Sequence, residues 1–337
     1  MLLKYLRNVL SLLLAVAVTV GTLVYAFWDV DFDTLWGTLR GSHLWPLWPT
    51  LVLLAAFYWF TALRWVLILR PLGRYGVGQV TPSMMIGFGG NNILPAHLGE
   101  LVRAALFARR VKLKVSGVFT TLLVERLFDV LSILLFYLLA VVLIHPFPES
   151  IRLGSAIIAW FVGALLVSLF LFLRFPDPFV RLWDWISRPL PEGLRQHGHR
   201  MLDQVRTGLH SLTSVRLLVP MAIYSLLKWL CAGAMVWLAL YGYGVAIDPG
   251  VSMIVIAVTA VAVTVPSTPG FFGAMQAAFV FALTPFGVSR EVAIAASFYY
   301  QLAQWVPVTI LGVVLFFLVA PSLRQVREDV EVMQQET

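Results

Sequence analysis

The sequence predicts an all-α integral membrane protein of two inverted repeats, each of three transmembrane helices plus one re-entrant helical hairpin. Three observations lead there: the composition, the spacing of the apolar segments, and two segments broken by Pro and Gly at corresponding places. Of 337 residues, 60% are hydrophobic and 12% are charged, with a mean hydropathy of +0.87. Soluble domains carry about 25% charged residues. The composition therefore excludes a soluble enzyme, a disordered tail and a nucleic-acid-binding domain.

The elements follow in order. Lys4 and Arg7 precede an apolar run at about 9–28. It reads as a retained first span, because cleavage at the Ala15-x-Ala17 pattern would leave too short an apolar core for a leader. Further segments at about 47–69, 115–144, 153–173, 217–241 and 291–319 are each long enough to cross the hydrocarbon layer as a helix. Two others, at about 80–108 and 250–285, do not suit an unbroken helix. Gly87, Gly89, Gly90 and Pro95 interrupt the first; Pro266, Pro269, Gly270 and Gly273 interrupt the second. Both read as hairpins that enter and leave on one side. Irregular backbone at that depth has to pack against protein or line a polar cavity.

Residues 175–216 place Trp183, Trp185 and Ile186 among Arg181, Arg188, Arg195, Arg200 and Arg206. This reads as a cytoplasmic amphipathic insert facing anionic lipid, or as a solvated connecting loop. The whole chain, 1–337, is then a single membrane domain, with repeat one at about 9–144 and repeat two at about 151–320.

The charges support this layout. With the N-terminus in the cytoplasm, eighteen of the 24 Lys and Arg residues fall inside. Only Arg40, Arg152 and Arg290 fall outside, and Arg64, Arg126 and Lys228 stay within spans. That is a strong positive-inside bias. It predicts a multi-pass protein of the cytoplasmic (inner) membrane with both termini cytoplasmic.

Local echoes support the repeat. Leu94-Pro95-x-x-Leu98-Gly99 matches Thr268-Pro269-x-x-Phe272-Gly273, and Leu63-Arg64-Trp65 matches Leu227-Lys228-Trp229. Each unit has an odd number of full crossings, so the second is inverted. Interrupted segments at matching places in two inverted halves point to a transport site.

The candidate site follows from polar residues at membrane depth. If the span at 115–144 starts near Val115, Glu125 lies about 15 Å along it, near mid-membrane. Charges there pair or face a wet cavity. Arg103 and Arg126 suit bidentate phosphate contact, with Glu100 and Asp129 orienting them; Glu100, Glu125 and Asp129 are candidates for proton coupling. The alternative is a clamp of ion pairs locking the first hairpin to that span. The three-residue spacings Glu100–Arg103 and Arg126–Asp129 put acid and base on one helix face. Arg64 and Lys228, each before a Trp, are either site residues or side chains snorkelling to the interface; Lys228 is deep in its span and points more to a site, whereas Arg64, near its span's cytoplasmic end, fits snorkelling at least as well. Asn91 and Asn92 fall near one hairpin tip, and Ser267, Thr268 and Gln276 near the other. His97 is a candidate proton relay, and Gln301 and Gln304 can line the same cavity or bond between helices. One cysteine, Cys231, and scattered histidines exclude a multi-cysteine metal site. No catalytic motif, metal site or cofactor is expected.

The stretch Asn92-Ile-Leu-Pro-Ala-His-Leu-Gly-Glu-Leu-Val-Arg103, followed by Val124-Glu-Arg-Leu-Phe-Asp129, resembles the lysylphosphatidylglycerol synthase transmembrane, or flippase-like, family of integral membrane proteins. Thr268-Pro-Gly-Phe-Phe-Gly273 is similar to that family's second Pro-Gly element. The resemblance covers about residues 9 to 320. It implies a lipid-handling role without the aminoacyl-transfer domain of the two-domain synthases, and it fixes no substrate.

The leading expectation is a flippase or transporter for a lipid with an anionic phosphate headgroup: an aminoacyl phospholipid, another phospholipid or a polyprenyl phosphate. The alternatives are an intramembrane glycosyltransferase using a polyprenyl-phosphate sugar donor and a non-transporting accessory subunit. The partners are membrane lipids and not nucleic acid, with room for a homo-oligomer.

Overall fold

The computed structural model describes residues 17–94, 98–144, 148, 160, 176–187, 192, 215–263 and 269–319. The regular elements among them are all helical. In chain order they are α1 (Ala17–Phe27), α2 (Phe32–Arg40), α3 (Leu47–Ile68), α4 (Val77–Ile93), α5 (Leu98–Arg110) and α6 (Val115–Leu143). Then come α7 (Pro176–Ile186), α8 (Val215–Tyr241), α9 (Pro249–Ala262), α10 (Ala274–Leu283) and α11 (Arg290–Val319). Short 3-10 turns at Pro269–Phe271 and Thr284–Phe286 precede and follow α10.

Four helices, α3, α6, α8 and α11, are long and apolar enough to cross a membrane. At 22 to 30 residues each, they match or exceed a hydrocarbon layer of about 30 Å. They coincide with the spans expected at 47–69, 115–144, 217–241 and 291–319. The span expected at 153–173 lies outside the described residues apart from Trp160, as does the start of the first.

The two broken segments form pairs of shorter helices. Within the first, α4 packs on α5. A Cβ on Gly99 would collide with Gly87 O and fall 2.5 Å from Asn91 N, so these helices meet at backbone distance only because Gly99 has no side chain. Gln79 Oε1 caps the start of α4 by accepting from Gly76 N at 2.9 Å. Within the second pair, Asp248 caps α9 and Pro249 opens it. The chain then turns through Gly270 (φ 76°) and Gly273 (φ 87°), conformations that favour glycine. Gln276 Oε1 accepts from Gly273 N at 2.7 Å and starts α10.

One element was not anticipated. Asp31 accepts from Asp33 N and from the Thr34 hydroxyl, opening the short helix α2, whose Leu35 is buried. In the region of the insert, only α7 and a few flanking residues are described.

The packing places the polar residues. α3 lies along α8; α4 lies on α11; α9 lies on α6. At Gly89 and Gly312 the α4 and α11 backbones come so close that a Cβ on Gly89 would sit 3.0 Å from Gly312 Cα. Trp65, Phe107, Met84, Met235 and Phe279 fill the core between these layers.

Candidate functional site

Five charged side chains converge where α3, α5, α6 and α8 meet. Asp129 Oδ1 lies 2.6 Å from Arg64 Nη1 and 2.8 Å from Lys228 Nζ, and accepts from Trp229 Nε1 at 3.0 Å. Glu125 receives the Arg103 fork through two hydrogen bonds of 2.9 and 3.3 Å and also pairs with Arg64 Nη2 at 3.3 Å. Arg64 donates further to Ser225 Oγ at 2.8 Å. All five charged side chains are buried. Aromatic rings flank the cations. The Arg103 guanidinium stands 3.8 Å over the Trp65 ring, and Lys228 Nζ is 5.1 Å from the Phe57 ring. Trp65 is fixed in turn by donating to Thr121 Oγ1 at 3.0 Å.

Buried charges need partners and hydrogen bonds to offset their lost hydration. The two carboxylates obtain theirs from three different helices, so the cluster joins α3, α5 and α8 to α6.

Beside the cluster lies a cavity of about 240 Å³. Its wall takes Asn91 and Asn92 from the end of α4, Arg126 from α6, Trp229 from α8, Gly270 and Phe271 from the second pair's turn, and Gln301, Gln304 and Trp305 from α11. Phe57 and Tyr58 of α3 complete one side. Arg126 pairs with Glu100 of α5, yet its side chain is 52% exposed. A second polar chain starts on this wall. Gln301 Nε2 donates to Gly270 O at 2.5 Å, and Gln276 Nε2 donates to Gln301 Oε1 at 2.8 Å. Asn92 Nδ2 reaches across to Thr309 Oγ1 at 2.9 Å. Asn91 Oδ1, Thr259 Oγ1 and Trp305 Nε1, of three residues that line the cavity, are buried and have no hydrogen-bond partner among the described residues. No group of His, Cys, Asp and Glu able to hold a metal occurs among those residues.

The sequence profile of the lysylphosphatidylglycerol synthase TM region matches residues 12–312. The chain belongs to this family. It is also similar to a UPF0104 membrane protein of Methanothermobacter thermautotrophicus, at 26% identity over 280 residues, covering 78% of this chain and 80% of that one. For this member of the lysylphosphatidylglycerol synthase transmembrane family, the motif residues Asn92, Glu100, Arg103, Glu125, Arg126 and Asp129 all fall on the cavity wall or in the ion-pair network beside it.

The sequence-predicted residues divide into three groups. Arg126, Asn91 and Asn92 line the cavity, with Gln301 and Gln304. Glu100 reaches it through Arg126, and Gln276 through Gln301. Arg103, Glu125, Asp129 and Lys228 sit in the buried cluster, behind Trp229 and Phe57. Thr268 lies outside the described residues, as do Ser267 and His97.

Two expectations change. Arg64 does not snorkel: it is fully buried and holds both carboxylates. The acids and bases also pair between helices, Glu100 with Arg126 and Arg103 with Glu125, where the sequence spacing put partners on one helix face. The clamp between α5 and α6 is therefore present, while Arg126 still presents a face to the cavity. Tyr58, Thr259 and Trp305 carry no signal in the sequence, because apolar helices hold aromatic and hydroxyl residues throughout; Trp65 stands out there only within the Leu63-Arg64-Trp65 echo. Ser225 had a weak signal, three residues before Lys228.

Proposed function

We propose that this chain is a lipid flippase that binds an anionic phosphate headgroup in the cavity and moves it between leaflets of the inner membrane. One observation carries the reading. An exposed arginine lines a cavity that Asn91, Asn92, Gln301 and Gln304 also line, beside a buried cluster that holds three cations, Arg64, Arg103 and Lys228, against two carboxylates. Arg126 and Glu100 cancel. With every group in its ordinary charge state, one positive charge is left over within this set of seven side chains, and an anion in the cavity offsets it.

The helix packing supports two inverted repeats with re-entrant hairpins. If α3 corresponds to α8, α4–α5 to α9–α10, and α6 to α11, exchanging the halves maps α4 on α11 onto α9 on α6. The α3 on α8 contact maps onto itself. Alternating access then comes from rocking one half against the other, with both termini cytoplasmic. The cargo is a phosphodiester or polyprenyl phosphate lipid.

The test is reconstitution in vesicles containing fluorescent phosphatidylglycerol, with leaflet exposure followed by chemical quenching. Arg126→Ala should abolish protein-dependent exchange, and Arg126→Lys should retain part of it. Exchange that ignores Arg126 overturns the proposal. Turnover of a polyprenyl-phosphate sugar without translocation would favour the glycosyltransferase, and neither activity would favour an accessory subunit.

A further inference from the structure

A second cavity, of about 320 Å³, lies between α3, α4 and α11. Its walls are hydrocarbon and sulfur: Leu51, Leu54, Met84, Met85, Val308 and Leu311 among others. Thr81 adds a hydroxyl, but that group already donates to Val77 O at 2.8 Å. The space therefore suits an aliphatic chain and not a headgroup. Met side chains fit such a ligand because they are unbranched and adjust to its shape.

Two features connect this groove to the polar cavity and to the bilayer. Tyr58 belongs to both walls, so its ring is the partition between them. On the outer rim, Trp59 and Leu311 are 56% and 44% exposed, and Ala55 is exposed too. A hydrocarbon chain can thus enter sideways between α3 and α11 without crossing polar protein.

We propose that the groove between α3, α4 and α11 holds one acyl or prenyl chain of a lipid whose phosphate group occupies the polar cavity past Tyr58. This rests on the flippase reading and adds to it the location of the lateral opening. The headgroup meets Arg126 on one side of Tyr58 and the chain meets Leu51, Ala55 and Leu311 on the other. A single molecule then satisfies a charged site and an apolar site that adjoin.

The experiment uses full-length protein in nanodiscs with phosphatidylglycerol carrying a diazirine in one acyl chain. After irradiation, adducts are mapped by peptide mass spectrometry. Adducts at Ala55, Trp59 and Leu311 should exceed those at ordinary lipid-facing positions, such as Val142 and Leu143, several-fold. Unlabelled phosphatidylglycerol should compete. Ala55→Trp should fill the mouth and lower groove labelling to the background of the α6 surface. Should that variant not fold, Leu311→Trp blocks the opposite rim and carries the same expectation. Uniform labelling over all lipid-facing helices, or groove labelling that both fillings leave intact, overturns the inference. Arg126→Ala separates the two readings. Groove labelling that persists unchanged in Arg126→Ala supports the chain site and defeats the headgroup site. Arg126-dependent exchange with uniform labelling does the reverse.

Discussion

Asp129 is where the balance of the buried cluster can be tested most sharply. Its Oδ1 alone meets Arg64, Lys228 and the Trp229 indole, at 2.6 to 3.0 Å. Asp129→Asn keeps the shape and removes the charge. It leaves three buried cations facing one carboxylate. Removing one partner of a buried ion pair costs about 3–5 kcal/mol, a large share of a total stability of about 5–15 kcal/mol. Lys228→Met acts in the opposite sense. It leaves Arg64 and Arg103 against Glu125 and Asp129, a balanced set, and an unbranched chain in place of the lysine stem. Its cost should be well below that of Asp129→Asn. The double variant restores the original surplus and should recover part of the loss caused by Asp129→Asn alone. Equilibrium unfolding in mixed micelles, read as a double-mutant cycle, measures all three. A Lys228→Met variant at least as unstable as Asp129→Asn would show that charge count does not govern the cluster. So would a double variant whose losses simply add.

Other consequences can be checked separately. Gly99→Ala should prevent correct packing of α4 on α5, because its methyl would meet backbone atoms of Gly87 and Asn91; Gly233→Ala should be mild, because its methyl meets the flexible end of Met253. Thermal unfolding in detergent distinguishes them, and equal effects would contradict the close approach. Trp65→Phe removes the bond to Thr121 and weakens the ring under Arg103; a loss of about 1–3 kcal/mol is expected, and an unchanged melting temperature would count against it. Gln301→Leu leaves Gly270 O and the Gln276 amide without a shared partner, which should speed hydrogen exchange at the 269–273 turn. At the surface, the Thr34 hydroxyl and then the Asp33 N–H hold the Asp31 carboxyl below its usual range. Its cap is present above the ordinary carboxylate pKa of about 3.9 and is lost as pH falls through the lowered folded value. Amide exchange across α2 should therefore accelerate only in strongly acidic solution, whereas Asp31→Ala should accelerate it at neutral pH too.

Much of this arrangement was legible in one dimension. Length and hydropathy marked α3, α6, α8 and α11, since a bilayer admits few other uses for such runs. Glycines and prolines marked the broken pairs, because they are where the backbone turns or approaches closely. The charged residues drew notice because charge at that depth is rare. Their partners could not be read the same way. Arg64 and Asp129 are 65 residues apart, and only the packing of α3 and α8 against α6 brings them together. Position along a span suggested an exposed end for Arg64, but the neighbouring helix bundle covers it. The cap at Asp31 was readable in principle: an Asp followed three residues later by Thr, ahead of Leu35, is a helix-start pattern.

The glycine contact between α4 and α11 has a mechanical consequence. A methyl on Gly89 would press on both Gly312 Cα and Val308 O, so there is no slack along that seam, and Asn92 staples it one turn further on. In the proposed arrangement α4 belongs to the first repeat and α11 to the second, so rocking of one half against the other has to pivot about this seam and open at other joints.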